Sequence, residues 1–189
     1  MYYNKYLKFI ESDFCREARY LMRSKETPYD NKSAFAVAML TVLRRTKNCV
    51  QKIDAKVNQF AQNAFSLSCT GCALDQIRVL IDLSDAKNDM LYISRICTAV
   101  LEKIPSGAAA LLTMHFIARN EARNTARLFG ISSVVYYKAL KTALLKFYYA
   151  LEAENSGLKW AENILFPQPW FNKMMLLLTC GLPSEKKPR

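Results

Sequence analysis

The stretch Ala126-Arg127-Leu128-Phe129-Gly130-Ile131-Ser132-Ser133-Val134-Val135-Tyr136-Tyr137-Lys138-Ala139-Leu140 reads as the end of one helix, a tight turn and the start of another. Ala126 suits a crossing point where only a small side chain lets two helices approach. Gly130, four residues on, suits a turn that needs positive φ, which costs little without a Cβ. Phe129 and Ile131 bracket that turn as apolar plugs, and Ser132 can accept the first amide protons of the next helix as its N-cap. Beyond it, Tyr136, Ala139, Leu140, Ala143, Leu144 and Phe147 recur at three-four spacing and predict an inward stripe. The opposite face carries Ser133, Val134, Tyr137, Lys138 and Lys141, hydroxyls and cations of the kind that meet base edges and phosphates. Two helices joined in this way are a helix-turn-helix.

Working outward, the pattern stays helical. Upstream, Pro105 ends a helix because it pushes the preceding residue out of the α region. A helix over Ala108 to Ile117, a polar turn and a short helix reaching Leu128-Phe129 then lead into the quoted stretch. The longer helix runs from Ser133 to about Tyr149. In the first hundred residues, Tyr6, Phe9, Ile10, Phe14, Ala18, Leu21 and Met22 predict an amphipathic helix over ~3–24. A break at Lys25 to Asn31 follows. Ser33 is the expected N-cap of a helix over ~34–65, in which Arg44-Arg45-Thr46-Lys47 marks a kink or a solvent-facing turn. After a second break at Ser66 to Gly71, a helix over ~74–103 has Leu74, Ile77, Leu80, Ile81, Ile93, Ile96, Val100, Leu101 and Ile104 as inward candidates. Asp85 to Asp89 could divide it. Near the C-terminus, Phe166-Pro167-Gln168-Pro169-Trp170-Phe171 and Met174 to Leu178 read as a helix capping the protein's own core, or as a surface for a partner or a second copy. Ser184 to Arg189 is a basic tail.

The chain has 189 residues with 27 Lys and Arg against 16 Asp and Glu, a formal net charge of +11. Residues 101–150 carry seven bases and two acids, whereas residues 1–100 carry fifteen and ten. The surplus is therefore densest around the turn, which favours a nucleic-acid partner. With 5 Gly and 6 Pro the chain lacks the turns of an all-β fold. It carries no GxGxxG and no Walker-type phosphate loop. His115 is the single histidine, and no nucleophile or orienting acid can be placed beside it, so the chain reads as a non-enzyme. Cys69-Thr70-Gly71-Cys72 lacks the second pair a zinc site needs and the βαβ setting of a redox motif. Asp82, Asp85 and Asp89 share one helix face and read as solvated rather than metal-binding. Neither metal nor cofactor is expected. No run approaches the ~20 apolar residues of a membrane span. No signal-peptide pattern is visible, and the six cysteines fit the reducing cytoplasm, most of them as small buried apolar groups.

The quoted residues resemble the A-x-x-L-G-I-S-x-x-x-V-x-x-x-L pattern of the C-terminal domain of bacterial sigma factors, their region 4. Leu101-Glu102-Lys103-Ile104-Pro105, Leu111-Leu112 and His115-Phe116-Ile117 are similar to that family's leucine-proline and apolar-helix approach, and Lys141-Thr142-Ala143-Leu144 to its continuation. The resemblance covers about a quarter of the chain. The sequence departs from the pattern at Asn124-Thr125, where the family carries Glu-Ile. It departs again at Tyr136, where the family carries a β-branched residue, and at Ala118-Arg119-Asn120, where it carries a glycine-containing turn. The first hundred residues show no core-polymerase-binding or promoter-melting region. The layout therefore looks like the small region-4-like regulators of phages and mobile elements.

The expectation is an all-α protein with a helical N-terminal region (1–100), a helix-turn-helix domain (101–152) and a C-terminal packing helix with a tail (153–189). The resemblance implies a DNA-binding transcription regulator whose partner is double-stranded DNA, with RNA polymerase as a second partner. Ser132 would open the recognition helix, Ser133, Val134, Tyr137 and Lys138 would face bases, and Arg119, Arg123, Arg127 and Lys141 would neutralise phosphates. The alternative is a helical interaction module whose turn is only architectural. A homodimer built through the N-terminal helices fits either.

Overall fold

A computed structural model describes residues 8–23, 28–64, 70–154, 158 and 163–181, without the side chains of 63, 64 and 70–73. Cys69, the side chain of Cys72 and the 184–189 tail lie outside the described residues. The chain is all-α: α1 (Lys8–Arg23), α2 (Asn31–Ala64), α3 (Thr70–Lys103), α4 (Ser106–Leu112), a π-helical turn (Thr113–Ile117), α5 (Ala122–Leu128), α6 (Ser133–Ala153) and α7 (Pro169–Cys180). No strand occurs among the described residues, and no described helix is long and apolar enough to cross a membrane.

α1 is amphipathic, as its spacing predicts: Ile10, Phe14, Ala18, Leu21 and Met22 are buried. Asp13 and Glu17 are buried with them, and their partners explain why. Glu17 pairs with Arg44, Arg119 and, at 3.6 Å, Arg45, while Asp13 pairs with Arg16 and Lys52. The Arg44-Arg45 interruption is thus neither a kink nor a solvent-facing turn. α2 runs through it without a break, and the guanidiniums turn inward onto the carboxylates of α1. Burial works against the charge of Asp13. The hydrogen bond and charge of Lys52, with the charges of Arg45 and Arg16, outweigh it and hold this carboxyl below its ordinary pKa.

α2 begins earlier than expected because Asp30, not Ser33, caps it. The Ser33 amide donates to Asp30 Oδ1 at 2.9 Å and the Ser33 hydroxyl to Oδ2 at 3.0 Å. α3 is undivided at Asp85–Asp89 and packs along α2. Its second half buries Ile93, Ile96 and Val100, and Ile104 just past its end is buried too, as expected. In its first half the reading fails: among the described residues Leu74, Ile77 and Ile81 are all more than half exposed.

α6 lies at the centre and packs against α2, α3 and α4. Trp170, Phe171, Met174 and Leu178 of α7 are buried, with Trp170 stacked on Phe14 of α1 at 4.5 Å between ring centroids. The Tyr29 amide donates to the Leu178 carbonyl at 3.0 Å. The aromatic C-terminal segment therefore caps the protein's own core. One hydrophobic cluster runs through α1, α2, α3, α6 and α7.

Candidate nucleic-acid interface

α5 ends in the turn its sequence predicts. Gly130 sits at φ 65°, its amide donates to the Arg127 carbonyl at 3.0 Å, and the Ile131 amide donates to the Ala126 carbonyl at 3.0 Å. These paired bonds form a Schellman closure, with glycine at the one position that needs left-handed backbone. Ala126 is buried at the crossing. Ser132 accepts the Val135 amide at 3.3 Å and so caps α6. Beyond the cap, Tyr136, Leu140, Ala143, Leu144 and Phe147 are buried, and Ala139 is half-buried.

The positions where the sequence departs from the sigma pattern have local partners. Thr125 is fully buried, and its hydroxyl donates to the Glu121 carbonyl at 3.0 Å, so a β-branched shape fills the core with its polar group satisfied. The Tyr136 hydroxyl lies 2.8 Å from His115 Nδ1 and ties α6 to the π-helical turn. Burial depresses the His115 pKa to about 4, so the ring is neutral at pH 7. Arg119 takes the place of a turn glycine and has φ 61°.

The expected site residues divide into three groups. Ser132, Ser133, Val134, Tyr137 and Lys138 are exposed around the first turns of α6, and Arg123 and Arg127 are exposed on α5. Among the described residues, Arg123, Arg127 and Lys138 make no ion pair within 4.0 Å. Lys141 is exposed too, but its Nζ lies 3.8 Å from Asp30 Oδ2, so it is partly neutralised from the start of α2. Arg119 does not belong with the others. Its guanidinium pairs with buried Glu17 and stacks on Tyr20 at 4.1 Å, and its side chain is only 16% exposed. Its sequence position beside a polar turn suggested a phosphate contact, but the left-handed backbone turns it inward.

Beside this face lies a cavity of about 350 Å3, walled by Leu21, Tyr29, Asp30, His115, Tyr137 and Lys141. Burial raises the Tyr29 pKa to about 12, which keeps its phenol neutral. Residues 28–30 thus flank α6 on its Tyr137–Lys141 side. Asp82 and Asp85 are exposed on α3, and burial together with Asp85 raises the Asp89 pKa. Cys15, Cys49 and Cys97 are free and buried, and burial raises the pKa of each.

The sequence reading missed Asp13 and Glu17. Acids on the apolar side of an amphipathic helix were the available signal, since such groups demand buried cations in return. Comparison with protein-family models, with curated proteins and with solved structures finds no match to this chain.

Proposed function

We propose that this protein is a DNA-binding transcription regulator in which the first turns of α6 lie in the major groove. One observation carries the reading: the Schellman turn at Gly130 and the Ser132 cap fix α6 so that its apolar stripe is buried while Ser133, Val134, Tyr137 and Lys138 stand exposed. Hydroxyls and a lysine on one rigid helix end can meet base edges, and Arg123, Arg127 and Lys141 can neutralise phosphates on either side. The sigma region 4 resemblance of the same residues supports this reading and suggests RNA polymerase as a second partner.

Replacing Tyr137, Lys138 and Lys141 together by Ala tests it. All three side chains are exposed, so the variant should keep its helical circular dichroism and melting temperature while its duplex affinity falls by at least about 2 kcal/mol. Unchanged affinity in the folded variant contradicts the groove assignment. A second reading, a protein-interaction module, is favoured by the exposed apolar stripe Leu74, Ile77 and Ile81 on α3. Under that reading the chain shows no duplex binding even at low salt.

A further inference from the structure

The sequence dilutes the charge of α1, because Lys8, Arg16, Arg19 and Arg23 alternate with Glu11, Asp13 and Glu17. Folding separates the two signs. Asp13 and Glu17 are buried against the cations of α2 and Arg119, while Lys8, Arg16, Arg19 and Arg23 are exposed. At 3.6 residues per turn these four bases and Ser12 fall within an arc of about 80°, and the stripe is about 22 Å long. It lines an open groove of about 820 Å3 whose other wall carries Lys173, paired with Glu11 at 2.6 Å. Among the described residues Lys8, Arg19 and Arg23 make no ion pair within 4.0 Å.

We infer that this cationic face of α1 is a second contact with duplex DNA, on the phosphate backbone flanking the segment read by α6; the inference rests on the DNA-binding reading above. One contact joins the faces: Tyr20, at the edge of the stripe, stacks under Arg119, just before α5 with its exposed Arg123 and Arg127. The stripe is long enough to follow about six base-pair rises. The face is chiefly a row of cations, suited to phosphate oxygens, so on this inference it contributes affinity without sequence preference. An anionic membrane fits less well. The apolar side of α1, with Ile10, Phe14 and Leu21, is buried in the core and has no free apolar face to insert.

The test is the full-length triple variant Lys8→Gln, Arg19→Gln, Arg23→Gln, measured against duplexes recovered by selection and against the same site trimmed of flanking sequence. The expected results are a salt-dependence slope shallower by about 2–3 and, on the long duplex, affinity lower by more than about tenfold. Relative preference among sites should not change, and the trimmed duplex should show a smaller difference. An unchanged slope in this variant, with wild-type binding intact, overturns the inference and leaves the α6 reading standing. Unchanged binding in the α6 triple-alanine variant, with binding lost in the α1 variant, overturns the α6 reading and retains α1 as a duplex contact. Capture of the wild type by phosphatidylserine vesicles, without duplex binding at low salt, overturns both.

Discussion

Gly130 and Arg119 both have positive φ, for opposite reasons. At Gly130 nothing lies within 4 Å of where a Cβ would be, so the demand is purely one of backbone conformation. Gly130→Ala should therefore cost about 1–2 kcal/mol, read as a lower urea midpoint with unchanged slope. Such a position is legible in sequence because the turn that needs it is local. At Arg119 a glycine would relieve the backbone but abandon Glu17. That could not be read, because the partner comes from α1 and only folding brings it near. His115 supplies a pH signature. Its folded pKa of about 4 lies below the unfolded value of 6.5, so between these values the unfolded chain binds the extra proton. Stability should be full above pH 6.5 and fall by about 1–3 kcal/mol as pH drops towards 4. Urea titrations of the wild type and His115→Gln across that window check this, and the variant should lack this component.

The buried acids of α1 decide how the elements lock together. Glu17 faces Arg44, Arg45 and Arg119 with 9% of its side chain exposed. Glu17→Gln should destabilise the protein by about 3–5 kcal/mol, because it strands cations that burial has stripped of water. A drop of less than 1 kcal/mol in urea unfolding would show that water reaches the cluster. Asp13 acts in a different pH window from His115. Its folded pKa lies below 3.8, so its contribution is present above 3.8 and is lost as pH falls through the lower folded value. Element type and approximate limits were legible from apolar period and capping chemistry in α1, α5 and α6. The start of α3 was not. Leu74, Ile77 and Ile81 have a helical apolar period, but period alone does not say whether another helix arrives to cover it.

For the whole molecule, the segments set apart by sequence share one core. Phe14 of α1 stacks on Trp170 of α7, Lys32 of α2 donates to the Tyr149 hydroxyl of α6 at 3.0 Å, and α2 packs against α1, α6 and α7, so α2 ties the first helix, α6 and the last helix together. On the proposed reading, building α6 into such a core presents it rigidly, which suits base readout better than a tethered module would. The net charge of +11 and its density around the turn were visible in the sequence. The cationic face of α1 was hidden, because burial of Asp13 and Glu17 depends on the tertiary fold. Selection of bound duplexes from a random pool by the full-length chain, with and without core RNA polymerase, tests whether this core presents a DNA reader. The expected result is enrichment of a shared sequence whose recovery depends on Tyr137 and Lys138; a pool that stays random at low salt in both arms would contradict it.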